Sequence, residues 1–291
     1  MENASGMNGK VVLITGGTSG IGKAAAKALA GMGAEVVVAG RNRQKGEGAL
    51  QEIRSESGNN RVSLLLADLA AQAEVRRLAK EFRASHDRLD VLVNNAGLYK
   101  TRRTETPDGI EMTLAVNYLA PFLLTSLLLD LLKKSAPSRV INVSSEAERW
   151  GKIDLDDLQS ERRYRGFPVY GKSKLANIMF TYELAERLRG TGVTANCMHP
   201  GSVNTNMGKN ERGVGILLFR AFKPFMRSPK KGADTLIYLA ASPDVQGRTG
   251  EYFIDREVAT SSKEAYDGTL REQLWEVSEE LTNLKSASVK Q

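Results

Sequence analysis

Short runs rich in Val, Ile and Leu alternate along the chain with longer stretches of helical periodicity. The β-rich runs fall at Lys10 to Thr15, Glu35 to Ala39, Arg61 to Leu66, Val91 to Val93, Arg139 to Val143, Val193 to Met198 and Tyr252 to Ile254. This alternation predicts an α/β fold, a parallel sheet with helices on both faces, in a single domain over residues 9–283. The first runs are continuously apolar instead of alternating with polar residues, as strands covered on both sides must be. The longest apolar stretch, Leu119 to Leu132, is broken by Pro121 and Asp130. It falls short of the ~18–20 residues of a membrane span and reads as a buried helix. Between Pro200 and Gly232 the pattern lapses into Gly, Asn, Phe, Lys and Arg with no clear strand, which predicts an insertion over a site. Residues 1–8 and 285–291 read as flexible ends.

Composition narrows the class. With 291 residues, 41% of them hydrophobic and 26% charged, the chain can bury a sizeable core and is too apolar for a disordered protein. Its single cysteine, Cys197, excludes an intramolecular disulfide framework, and two histidines give no basis for a histidine-rich metal site. The first ten residues are polar and run directly into a strand, so no secretory signal is expected and the expected location is the cytoplasm. The net charge of +7 and a pI near 9.4 raise the question of nucleic acid. Charges mostly alternate in sign, however, and none of the clusters at Arg76-Arg77, Arg102-Arg103, Arg162 to Arg165 and Lys223 to Lys231 interleaves aromatics in a recognisable nucleic-acid module, so nucleic acid is not an expected partner.

The first strand ends in Thr15-Gly16-Gly17-Thr18-Ser19-Gly20-Ile21-Gly22 and leads into a strong helix former. Glycines at a strand–helix junction let the backbone approach a pyrophosphate, and the helix N-terminus supplies free N–H groups. Gly16, Thr18, Ser19, Gly20, Ile21 and Gly22 are the candidates, although a three-glycine match alone also describes a tight turn. After the second strand stands Ala39-Gly40-Arg41, with no carboxylate for a ribose 2′-hydroxyl. Arg41 offers a planar donor fork to a 2′-phosphate, which favours NADP; the alternative is a solvated loop. Asp68-Leu69 follows the third strand, placed either for an adenine amino group or for helix capping. Asn95, Ala96 and Gly97 close the fourth, as a cofactor-lining turn or an ordinary loop.

Tyr170-Gly171-Lys172-Ser173-Lys174 lies in a helical stretch, and positions i and i+4 share a face. An ammonium near a phenol favours phenolate and is expected to lower a pKa that starts near ~10, as suits a general acid. Ser145, at the end of the fifth strand, is placed to hold a carbonyl oxygen or to cap a helix. Asn117 lies four residues before Pro121, which has no N–H, so its carbonyl should be free to hold a water that relays protons toward Lys174; an incidental asparagine at a proline kink is the other reading.

Together, Thr15-Gly16 to Gly22, Asp68, Asn94 to Gly97, Asn117, Ser145, Tyr170 with Lys174, and Pro200-Gly201 resemble the short-chain dehydrogenase/reductase superfamily over nearly the whole chain. The resemblance implies a Rossmann-type, doubly wound sheet of about seven strands and a catalytic tetrad of Asn117, Ser145, Tyr170 and Lys174. It also implies a nicotinamide cofactor contacted by Asn117, Tyr170 and Lys174, with Pro200, Gly201, Val203 and Thr205 lining the carboxamide. A homo-oligomer is implied only in the same way. The span carrying Leu158-Gln159-Ser160-Glu161, the run Tyr170 to Asn177 and the tail Leu274 to Leu281 are similar to the retinol dehydrogenase branch. Membrane-bound members of that branch begin with a hydrophobic anchor, whereas this chain begins at the strand. The expected activity is an NADP-dependent transfer of hydride between the cofactor and a carbonyl or alcohol, with a hydrophobic aldehyde or ketone as substrate. A catalytically silent dinucleotide sensor or scaffold is the alternative, and loss of Tyr170 or Lys174 would be its sign. Residues 213–227 read as a substrate lid in preference to a membrane-surface helix or a core helix. Leu217, Leu218, Phe222 and Phe225 would face inward, with Lys223 and Arg227 at the rim.

Overall fold

The computed structural model describes residues 6–204 and 226–284. Among them eight strands form one sheet: β1 (Val11–Thr15), β2 (Glu35–Gly40), β3 (Val62–Leu66), β4 (Val91–Asn94), β5 (Ser138–Val143), β6 (Val193–His199), β7 (Tyr252–Ile254) and β8 (Glu257–Ala259). Their order is β3-β2-β1-β4-β5-β6-β7-β8. The first seven are parallel, and each matches its sequence-predicted run to within one residue at either end. The eighth corrects the expected seven. It pairs antiparallel with β7 across Asp255 and Arg256, whose φ values of 52° and 70° are those of a tight hairpin turn. Hairpins of this kind are usually announced by glycine, which is missing here, and Glu257 and Val258 are exposed, so no apolar run marks the strand.

Among the described residues the longer helices are α1 (Gly20–Gly31), α2 (Arg43–Ser57), α3 (Gln72–Ser85), α4 (Met112–Lys134), α5 (Gly166–Arg187), α6 (Asp234–Ala241) and α7 (Gly268–Leu281). They cover both faces of the sheet, which is why the strands are apolar throughout. Along β1, Val12 and Ile14 pack with Leu29 of α1, Ile53 of α2 and Leu236 of α6. Val11 and Leu13 join the opposite core with Phe82 of α3, Leu123 of α4 and Leu175 of α5. Alternate side chains of one strand thus feed two separate cores.

The buried-helix reading of Leu119 to Leu132 holds, with a longer element than expected. At 23 residues α4 is long and apolar enough to cross a membrane, and 78% of its apolar window is buried inside the protein. Its outer side is closed by α7. Trp275 of α7 packs edge-on against Phe122 at 4.9 Å between ring centroids and lies 5.8 Å from Phe180 of α5.

Polar side chains also run through this core. Asn94 on β4 stands opposite Asn142 on β5 and donates to its Oδ1 at 2.8 Å. Asn94 donates as well to Thr125 of α4, and Asn142 to Thr181 of α5. All four are buried.

Candidate active site

Strand order reverses between β1 and β4, and in open α/β sheets ligands bind outside the carboxyl ends of the strands at such a junction. The glycine turn lies there. Gly16 and Gly20 adopt φ of 65° and 55°, which favours glycine. A Cβ on Gly22 would lie 2.4 Å from Asn95 Nδ2 and 2.6 Å from the Gly16 carbonyl oxygen, so backbone fills the space a side chain would need. Asn95 Nδ2 donates to the carbonyls of Thr15 and Gly16, and the Thr15 hydroxyl accepts from the N–H groups of Asn95 and Ala96. Ser19, at the N-cap of α1, makes no side-chain capping bond, which leaves the first-turn N–H groups for an anion. Turn, cradle and helix end together fit the pyrophosphate of a dinucleotide.

Arg41 is exposed just past β2, and among the described residues no carboxylate lies within ion-pair reach of it. Asn42 caps α2 through the Lys45 N–H. Thr18 approaches this corner closely, since a Cβ on Gly40 would lie 2.6 Å from its methyl group. Asp68 does not cap α3: that helix begins at Gln72 with Ala71 as its cap, and Asp68 Oδ1 accepts from the Ala70 N–H. Leu69 is partly buried against the core.

The four proposed catalytic side chains come together around the ends of β4 and β5. A Cβ on Gly97 would lie 3.5 Å from Asn117 Oδ1 and 3.6 Å from Lys174 Nζ. Asn117 holds the loop after β4 by accepting from the Leu98 N–H and donating to the Leu98 carbonyl, and it also donates to Ser173 Oγ. Lys174 Nζ donates to the Val143 carbonyl at 2.8 Å, while the Ser144 hydroxyl donates to the Lys174 carbonyl at 2.8 Å, so strand end and helix tie each other down. Ser145 caps the 3-10 turn Glu146–Trp150 through the Ala147 N–H, the second of its two readings, and its hydroxyl faces that of Tyr170. That turn crosses α5 at a glycine, where a Cβ on Gly171 would lie 2.5 Å from the Ala147 carbonyl oxygen.

One expectation is corrected. Lys174 does not bring the phenol below its usual value. Although the side chain is partly exposed, desolvation of its hydroxyl pushes Tyr170 up to about 12, and Ser145 is the group that opposes the rise. Lys174 itself, 3% exposed, is brought down to about 8 by burial, with its ammonium 5.7 Å from the Tyr170 ring centroid. Residues Ala115–Leu119 form a π-helical turn ahead of Pro121, and the Asn117 carbonyl, expected to hold a water, accepts from Asn177 Nδ2 at 2.9 Å, which leaves its second lone pair for that water.

Pro200, Gly201 and Val203 follow β6. Gly201 has φ of 78°, and Val203 packs into the core that includes Ile21 of the glycine turn, which brings this segment beside the cradle. Arg227, predicted for a rim, is partly exposed and pairs with Asp255. Thr205 and the proposed inner lid face of Leu217, Leu218, Phe222 and Phe225 lie outside the described residues.

Sequence reasoning missed Thr15, Ser173, Asn177 and His199. A signal existed for two of them: Tyr170, Ser173, Lys174, Asn177 and Thr181 form a polar stripe at helical spacing along α5. No comparable pattern marks His199, whose Nδ1 accepts from the Glu146 N–H.

The pattern of one family, described as short chain dehydrogenase, matches residues 10–213. The chain is 43% identical over 295 residues to retinol dehydrogenase 14 of Homo sapiens, covering 96% of this chain and 88% of that protein. It is 45% identical over 278 residues to retinol dehydrogenase 12 of Homo sapiens, covering 95% and 87%. Among solved structures, an uncharacterized protein from Mycobacterium paratuberculosis superposes with a TM-score of 0.78 at 31% identity, covering 97% of this chain and 96% of that one. The Pseudomonas aeruginosa RhlG/NADP active-site complex does so with a TM-score of 0.69 at 28% identity, covering 87% and 97%.

Proposed function

We propose that this chain, which belongs to the short-chain dehydrogenase family and resembles its retinol dehydrogenases, is an NADP-dependent oxidoreductase acting on a hydrophobic aldehyde, ketone or the matching alcohol. The observation that carries this reading is the convergence of Ser145, Tyr170, Lys174 and Asn117 beside a glycine cradle. The cofactor, when bound, gives or takes the hydride. Ser145 holds the substrate oxygen. Tyr170, kept protonated by burial, passes its proton to that oxygen in the direction of reduction. Lys174 holds the nicotinamide ribose and places positive charge near the phenol, which favours the phenolate left behind. Asn117 fixes the loop at Leu98 and, through Ser173, the turn of α5 that carries Tyr170. Pro200, Gly201 and Val203 would line the carboxamide.

NADP is favoured by Arg41, and solved relatives in complex with NADP support it. The printed names of the retinol dehydrogenases and the apolar residues of segment 213–227 support a long apolar substrate. The test is NADPH and NADH oxidation across an aldehyde chain-length series. Catalytic efficiency should rise with chain length, and a flat series would sink the hydrophobic substrate. Arg41→Ala should weaken NADPH about 10–100-fold, because a hydrogen bond to a charged group contributes about 1.5–3 kcal/mol, with NADH unchanged. Gly40 is left intact in this test because a side chain there would meet Thr18. Equal affinity of the unaltered protein for the two cofactors would refute the assignment of Arg41.

A further inference from the structure

His199 ends β6 with its imidazole 8% exposed. Its Nδ1 accepts from the backbone N–H of Glu146 at 3.2 Å, and Nε2 lies 3.6 Å from Glu146 Oε2. An accepting Nδ1 is bare, so the proton of the neutral ring sits on Nε2 and faces the carboxylate. Glu146 directly follows Ser145 and opens the 3-10 turn that Ser145 caps at the Ala147 N–H. Ser145 is therefore held from one side by β5 and from the other by a turn whose leading N–H is gripped by a ring from β6.

We propose that His199 is a positioning residue for the reaction: its neutral imidazole clamps the Glu146 N–H and so keeps Ser145 against Tyr170, and protonation of the ring opens the clamp. The inference rests on the oxidoreductase reading for its effect on turnover, though the clamp itself does not. A protonated ring would set an N–H at Nδ1 against the N–H of Glu146, two donors facing each other. The carboxylates of Glu146 and Asp255 favour the charged ring. Burial, the largest influence, opposes it, as do Arg227 and Lys174, and the outcome is a pKa below the ordinary 6.5. The ring is thus neutral near pH 7, and the clamp is lost as pH falls through that lowered pKa.

The test uses the full chain, in which His86 is the other histidine. In an NMR titration His199→Asn identifies the His199 signal by its disappearance. His199 should titrate below ~6.5, and the Glu146 amide should move with the same midpoint. A midpoint at or above ~6.5, or a Glu146 amide that ignores the titration, overturns the clamp. In turnover, His199→Ala should lower kcat about tenfold or more with NADPH affinity unchanged, because a misplaced contact to the substrate oxygen acts on the chemical step. His199→Asn, whose Oδ1 can accept where Nδ1 did, should restore kcat to within about threefold and abolish the acid limb of the pH profile. Equal losses in the two variants, or an acid limb that survives in His199→Asn, would overturn the role. If the unaltered protein turns over no carbonyl substrate, the oxidoreductase reading fails, and the amide titration still decides the clamp.

Discussion

Tyr170→Phe should reduce turnover by about 10²–10⁴-fold, the range for loss of a general acid–base group. The change removes one oxygen and nothing else. The ring keeps its edge-on contact with Tyr99 at 5.9 Å, and the backbone of α5 is untouched, so the loss would not come from disrupted packing. What disappears is the proton that Tyr170 supplies and its polar contact with Ser145. NADPH should still bind, because the cradle at Gly16 to Gly22 and Arg41 stands apart from the hydroxyl. Single-turnover kinetics, with cofactor affinity followed by NADPH fluorescence, separate the two effects. Near-normal turnover in a folded Tyr170→Phe protein would remove the tyrosine from the mechanism.

The largest expected loss of stability lies far from the chemistry. Trp275, 9% exposed, is the point where α7 grips the rest of the protein. Its ring meets Phe122 and Phe180 and lies 4.3 Å beneath the Arg187 guanidinium, while Nε1 donates to Glu279. Trp275→Ala would strip one wall from this aromatic cluster, and such truncations cost about 3–5 kcal/mol. Leu274 and the partly buried Leu270, Val277 and Leu281 also rest on the core, Arg271 pairs with Glu183, Ser278 meets the Tyr118 hydroxyl, and Gln72 and Arg76 hold carbonyls at and just past the helix end, but none of these fills the space the indole would leave. Urea denaturation reads the effect. A loss under about 1 kcal/mol would mean that the helix rests on the core without contributing to it.

Much of this architecture was legible because both faces of the sheet are covered. Continuous Val, Ile and Leu runs located seven strands, and the glycine turn and the Tyr170–Lys174 spacing located both ends of the site. What the sequence concealed depends on contacts between distant segments. Strand β8 is three residues, two of them exposed, behind a hairpin without glycine. The occupant of the Asn117 carbonyl comes from Asn177, sixty positions away. The direction of the Tyr170 shift follows from how many atoms surround the hydroxyl, whereas spacing showed only that Lys174 shares its face. His199 was invisible for a related reason: one histidine at a strand end has no periodicity to betray it.

The Asn94–Asn142 pair solves a problem that strands of this composition create for themselves. If β4 slid along β5 by two residues, every Val, Leu and Ile would still point to the side it points to now, so greasy side chains alone are a poor ruler for longitudinal alignment. The amides are not indifferent. Such a slide would break their mutual bond and strand two polar groups in a dry interior, at about 1–3 kcal/mol each. The gradation matters because β4 runs out into Asn95 to Gly97, on the side proposed for the cofactor, and β5 into Ser144 and Ser145, on the side proposed for the substrate. The pair therefore acts as a vernier, setting the height of one reactant's platform against the other's before either reactant arrives.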